Sequence, residues 1–376
     1  MTKMKKIQLM ISILLTAALF AGCGAGAAEE TTAAAKAAAA AETTAAAEKK
    51  AGTGSKVEAE IKPEADSKVN AESADTDRAA DDVTMRIGGL KGPTSIGMIK
   101  IMEDASQGTS KGNYDFMIAG SADELTPLLI KGELDAAAVP VNLVSVLYNN
   151  TNGAVKLYAV NTLGVVYIVE KGDSVHSVSD LKGKTIYATG KGSTPEYTLR
   201  YILSENGIDP DKDVTIEFRS EPTEIASLLK EADSGIAMLP QPYTTVVTSQ
   251  IDGTRIAIDL TAEWDALDNG STAITGAFAV RADWAEAHPE ALKTFGEEYA
   301  ASVEYVNSDP KAAAALVEKF GIVKAAVAEK AIPYCNIVYM TGESMEKSLM
   351  GYLQVLFDQN PKSTGGKLPD EGFFCR

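Results

Sequence analysis

The chain has 376 residues, of which 45% are hydrophobic and 23% charged, and it carries a formal net charge of −17 at pH 7. That acidity makes nucleic acid and anionic lipid headgroups poor partners, although a local site can differ in sign from the whole. Two histidines and three cysteines without a CxxC pair leave no zinc or haem pattern, so no metal and no cofactor is expected.

Lys3, Lys5 and Lys6, an apolar run from Ile7 to Phe20, and the small residues Ala21 and Gly22 before Cys23 predict an export signal over residues 1–22. The run is too short and wrongly flanked for a membrane-spanning helix. A cysteine directly after two small residues resembles the bacterial lipoprotein signal, which implies acylation of Cys23, although Phe20 stands where such signals usually carry Leu. Residues 23–82 are rich in Ala, Glu and Thr, repeat "ETTAAA" at Glu30 and Glu42, and contain no aromatic residue. Such a segment buries too little apolar surface to offset its ordering entropy, and it is expected to be a tether.

Residues 83–376 exceed one ordinary compact core and predict two domains. Their strongest signal is a repeat at an offset of one hundred: Lys91, Gly92 and Thr94 recur as Lys191, Gly192 and Thr194, Glu124 as Glu224, Leu128 and Leu129 as Leu228 and Leu229, and Ala137 and Pro140 as Ala237 and Pro240. Both halves read as an apolar strand ("MRIGGL", "KTIYAT"), a glycine-bearing loop, and a helix starting at Thr94/Ser95 or Ser193/Thr194. Next come a helix ending near "LLIKG" or "LLKEA", an apolar strand ("DAAAV", "GIAML") and a loop opening with Pro. Pro195 suits a first helical turn. The pattern predicts two βαβ-rich lobes of the α/β class, with ligand-facing loops beyond the carboxyl ends of the strands. Ser and Thr at those helix starts serve either as ligand donors or simply as N-caps.

After the second repeat, a short strand at Ala277–Arg281 is followed by helices in which Leu292, Phe295, Tyr299, Val303 and Val306 recur at helical spacing, a core pattern. Cys335 and Cys375, an even pair in an exported chain, are candidates for a disulfide; two unpaired thiols are the other reading.

"GELDAAAVP" at Gly132 to Pro140, "DLKGKTIYATGKGSTPEYTLRYILSENGI" at Asp180 to Ile208 and "ADWAEAHPEALKTF" at Ala282 to Phe295 resemble substrate-binding proteins of bacterial ABC importers of the nitrate, sulfonate and taurine type, a group that also contains pyrimidine-precursor binders. The resemblance implies a type II periplasmic-binding-protein-like fold: each lobe a mainly parallel sheet flanked by helices, the ligand cleft between them. The first lobe would comprise residues 83–162 and 276–376 with the C-terminal helices, and the second residues 163–275. The hinge would lie at "VNTLG" and "STAITG". The residues that match the family's ligand loops are Thr94, Ser95, Asn142, Ser193, Thr194, Gln241 and Tyr243.

The function so implied is capture of a small polar or anionic organic molecule outside the cytoplasm by a monomer, tied to the membrane through its lipid and delivering to ABC permease subunits. Uptake of a thiamine-pyrimidine-type precursor is the nearest alternative. An enzyme of the same fold acting on a pyrimidine or quinone precursor, and a ligand sensor, are the others. Against an enzyme, "GTSKG" at Gly108 to Gly112 precedes a strand, whereas a nucleophile elbow follows one, and "GKT" at Gly183 to Thr185 lacks the upstream glycine of a P-loop.

Overall fold

A computed structural model describes residues 83–376; the export signal, Cys23 and the tether lie outside the described residues. The first sheet is built from β1 (Thr84–Leu90), β2 (Asn113–Ala119), β3 (Ala136–Pro140) and β4 (Val155–Leu163). Between them lie α1 (Pro93–Ile96), α2 (Ile99–Gln107), α3 (Ala122–Lys131) and α4 (Val141–Asn150). The second sheet follows as β5 (Val166–Lys171), β6 (Thr185–Ala188), β7 (Thr215–Phe218), β8 (Gly235–Pro240) and β9 (Thr254–Asp259). Its helices are α5 (Thr194–Glu205), α6 (Pro222–Glu231), α7 (Tyr243–Gln250) and α8 (Leu260–Ala266). The chain then returns to the first sheet through β10 (Ile274–Arg281), α9 (Ala282–Ala287), α10 (Pro289–Ser308), α11 (Pro310–Lys319), α12 (Ala325–Ala331), β11 (Ile337–Met340) and α13 (Gly342–Gln359).

The strand orders are β11-β4-β10-β3-β1-β2 and β7-β6-β8-β5-β9. Elements related by the offset of one hundred occupy equal places: β2-β1-β3 is matched by β7-β6-β8, all parallel within each trio. The sheets are nonetheless mixed rather than mainly parallel. β10 enters the first sheet antiparallel to both β3 and β4, and β5 enters the second antiparallel to both β8 and β9. Each inserted strand is the one that arrives from the other lobe, so its direction follows from the crossing rather than from a βαβ unit.

Local sequence accounts for most boundaries. α3 starts where Glu124 Oε1 accepts from the backbone N–H of Gly120 and Ser121, and it ends at Gly132 in the left-handed region with φ 76°. Thr94 and Ser95 do not open an amphipathic helix: α1 is a buried four-residue turn with Gly92 as N-cap and Pro93 as its first residue. Gly92 has an extended φ of 173°, whereas Gly192 has φ 73°, a conformation that favours glycine. The α10 stripe packs as predicted, with the Phe278 ring of β10 at 5.2 Å from Phe295 and 4.8 Å from Tyr299, edge to face.

The candidate disulfide is not formed; both cysteines are free thiols. Asn336, next to Cys335, accepts from Leu163 N, whereas Cys375 N donates to Leu157 O. Those contacts stand six residues apart on β4, roughly 20 Å at the rise of a strand, too far for a bridge. The Cys335 thiol is fully buried and donates to Ala331 O at 3.3 Å; burial pushes its pKa up.

Candidate functional site

The parallel strands of both sheets point their carboxyl ends at one place. There a cavity of ≈160 Å³ is lined by the ends of β1 and β2 with the starts of α1 and α3 from one lobe. The ends of β6, β7 and β8 with the starts of α5 and α6 line it from the other. Such a strand-end crevice is where open α/β sheets bind ligands. An adjoining cavity of ≈440 Å³ shares Ser121, Gly190, Ser193 and Ser220 and adds Asp123, Lys191, Arg219 and Glu224, forming the mouth of the same cleft. Larger depressions of ≈600 and ≈540 Å³ lie at the two ends of α13 and take in none of the strand-end loops.

Beneath the cavity the two chain crossings meet. Thr162 at the end of β4 and Thr275 at the start of β10 both line it, and β4 and β10 are paired with Gly276 opposite Thr162. The register shifts on both sides of Gly276, a bulge at the point where the chain changes lobe. A Cβ on Gly276 would lie 2.6 Å from Asn161 Oδ1 and 2.7 Å from Thr94 Cγ2, so the floor closes only around glycine.

Of the seven ligand residues expected from sequence, Thr94 and Ser193 line this cavity. Neither hydroxyl caps a helix, although Ser193 is the N-cap residue of α5: Ser193 Oγ donates to Gly190 O at 2.6 Å, and Thr94 Oγ1 is buried without a hydrogen bond in the chain. Ser95 is fully buried against Gly89 of β1, its Oγ likewise unpartnered. Asn142 and Thr194 are brought together, but with each other: Thr194 Oγ1 donates to Asn142 Oδ1 at 2.9 Å. Asn142 Nδ2 donates to Gly192 O at 3.2 Å and Ser363 O at 3.0 Å. The pair is a bond between lobes. Gln241 is turned onto α7, accepting from Thr245 Oγ1 at 2.8 Å. Tyr243 is buried with Ile225, Leu229 and Val247, and burial, aided by the charge of Glu221, pushes its hydroxyl up to about 12.

Sequence reasoning did not single out Ser121, Thr162, Thr189, Ser220 or Thr275, which also line the cavity. The repeat held part of that signal, since Gly120 and Ser220 are one hundred apart at equivalent helix starts. Thr162 and Thr275 lie inside the two crossing segments. Thr189 carried no signal of its own.

The electrostatics of the cavity are uneven. Its lining cation, Lys91, is exposed at the rim. The helix starts carry their own carboxylates: Glu124 on α3, and Glu196 on α5, whose Oε2 accepts from Gly192 N at 2.6 Å. Among the described residues no cluster of three or more His, Cys, Asp or Glu could hold a metal ion, and no helix is long and apolar enough to cross a membrane.

An α/β body with two sheets, one strand exchanged from each lobe to the other, and a strand-end cleft between them defines the two-lobe periplasmic-binding-protein fold. The chain belongs to the NMT1-like family, which matches residues 114–320, more than half its length. Its fold is similar to that of an ABC transporter protein from Parabacteroides distasonis, at 24% identity over 78% of this chain and 99% of that one, with a TM-score of 0.64. It is also similar to the alkanesulfonate-binding protein SsuA from Xanthomonas axonopodis pv. citri bound to MOPS (15% identity, 76% and 94% covered, TM-score 0.61). A third likeness is the periplasmic aliphatic sulphonate binding protein SsuA from Escherichia coli (16% identity, 74% and 92% covered, TM-score 0.60). No curated protein matches the sequence.

Proposed function

We propose that this protein is the solute-binding component of an ABC importer, which encloses a small organic molecule between its lobes and hands it to the permease. The observation that carries the reading is the cavity at the strand ends, walled by both lobes above two paired chain crossings. Closure about those crossings would couple occupancy to docking on the transporter. The reading also takes the body to stand outside the cytoplasm as a monomer, residues 163–275 forming the moving lobe and acylated Cys23 its anchor. Names of similar structures support it, two of them sulfonate binders and one an ABC transporter protein.

Native mass spectrometry of the chain purified without refolding is the test. A stoichiometric small molecule released intact is the expected result. Its chemical conversion during incubation, or an empty protein whose melting temperature no small solute raises, would overturn the reading. Cys23→Ser is expected to release the protein from the membrane fraction into the soluble one.

A further inference from the structure

We infer that α5 carries a latch: bonds from its buried hydroxyls to the other lobe hold the lobes closed whether or not the cleft is filled, and ligand exchange waits on their opening. Gating of exchange rests on the solute-binding reading; the latch itself follows from the fold alone.

Thr194 and Thr198 stand four residues apart on α5, about one turn of helix, so both hydroxyls lie on one face. Both are buried, at 2% and 6% exposure, and a buried hydroxyl needs a partner. Each finds it outside the second sheet and its helices. Thr194 Oγ1 donates to Asn142 Oδ1 of α4 at 2.9 Å, and Thr198 Oγ1 bonds the Tyr352 hydroxyl of α13 at 2.8 Å. Asn142, wholly buried, adds a third link through Nδ2, which donates to Gly192 O at 3.2 Å.

Both ends of that third link are braced. Asn142 Nδ2 also donates to Ser363 O at 3.0 Å, in the turn that accepts from Ser145 and Asn149 of the same helix. Gly192 N donates to Glu196 Oε2 at 2.6 Å, and Glu196 Oε1 in turn accepts from Arg200 Nε at 2.7 Å. Donor and acceptor are each held by their own lobe, so little conformational freedom is lost when they meet.

None of Asn142, Thr194, Thr198 and Tyr352 lines the cavity or its mouth. Their bonds involve no ligand atom, so the closure they stabilise is independent of occupancy. The α3–α6 side of the cleft differs. A Cβ on Gly120 would lie 2.5 Å from Glu221 Oε1 of one lobe and 3.4 Å from Glu124 Oε1 of the other, a like-charge approach that does nothing to hold the mouth shut. Closure therefore depends on the α5 side, where each bond contributes roughly two- to tenfold to the ratio of closed to open molecules.

The test is double electron–electron resonance on the full chain, dialysed until native mass spectrometry finds no bound solute. Spin labels go on Lys131→Cys and Glu231→Cys, exposed and equivalent positions at the ends of α3 and α6. Cys23→Ser and Cys375→Ser remove the other reachable thiols, Cys335 being buried. With the latch intact, one short and narrow distance distribution is expected. Thr194→Val with Thr198→Val keeps both side-chain shapes and removes both hydroxyls. A second, longer distance is then expected, from a fall of roughly tenfold or more in the closed-to-open ratio, whereas Thr194→Ser with Thr198→Ser should keep the single one. Should the valine pair lose its cooperative melt, Thr194→Val alone is expected to show the longer distance at lower population. Identical distributions in the valine and serine variants would overturn the latch, as would a long distance already dominant with both threonines in place. Neither outcome touches the solute-binding reading, which the identity of a co-purified molecule decides separately.

Discussion

Asn142 shows how one side chain can be mistaken for a ligand contact. It is the second residue of α4, just past the Pro140 strand end where a binding loop is expected, yet its side-chain bonds go to the protein: Thr194 and Gly192 of one lobe and Ser363 near the C-terminus. Asn142→Ala strands several buried polar groups at once and is expected to destabilise the apo protein by about 2–4 kcal/mol, at roughly 1–3 kcal/mol for each group left unpaired, measured by urea unfolding. Thr194→Val should cost less, and the double mutant should fall short of the sum because the two share one bond. Gly276→Ala belongs to the same scale: its Cβ would press on Asn161 and Thr94, so binding of any cleft ligand should be lost together with about 1–3 kcal/mol of stability. Glu170 on β5 carries a pH signature. Burial pushes its carboxyl up, but hydrogen bonds from Ser174 Oγ and N and from Val175 N, with Arg255 at 2.8 Å, outweigh that and hold it below the ordinary 4.5. A lowered folded value means the stabilisation is fully present above 4.5 and is lost as pH falls through the folded value. Glu170→Gln should therefore cost about 2 kcal/mol at pH 7, and the gap from wild type should close in acid melts.

At the scale of elements, α13 and the segment after it tie the lobes together. The Tyr352 hydroxyl bonds Thr198 Oγ1 of α5 at 2.8 Å, and its ring lies 5.0 Å from Trp264 of α8. The turn at Pro361–Thr364 offers Ser363 and Thr364 carbonyls to Asn142, Ser145 and Asn149 of α4. One stretch of chain thus grips an element from each lobe. Tyr352→Ala is expected to cost about 3–5 kcal/mol, as for other large buried aromatics. Removal of residues 361–376 should lower the melting temperature and enlarge the radius of gyration of the ligand-free body in X-ray scattering, as the lobes part. An unchanged radius would show that the segment supports one lobe only. The absence of a disulfide from this region has a simple check: reductant should leave the melting temperature unchanged, and Cys335 should resist alkylation until the protein unfolds.

For the whole molecule, the offset of one hundred made the architecture legible before any coordinate. Identities such as Ala137 with Ala237 and Pro140 with Pro240 mark strands that take equal places in two sheets. The strand exchange was not legible. β5 and β10 are apolar runs like any buried strand, and their antiparallel pairing depends on which lobe each arrives from. A molecule that closes on its ligand should gain stability with ligand concentration, about 2.7 kcal/mol at a hundredfold excess over Kd, so the melting temperature should climb steadily with added ligand.

Local properties were settled within the sequence: strands and helices by apolar period, the start of α5 by Ser193, Thr194 and Pro195, the paired lobes by repetition, and the α10 stripe as core. Which strand-end hydroxyls reach the cleft was settled by packing alone. Thr94 and Thr194 are the same residue at equivalent positions of a repeat, yet one lines the cavity and the other bonds Asn142 across the lobes. Side-chain direction depends on the neighbours a residue meets: the partner of Thr194 is Asn142, 52 residues away, and Asn142 is itself held by Ser363, a further 221 residues along the chain, in segments no local pattern connects.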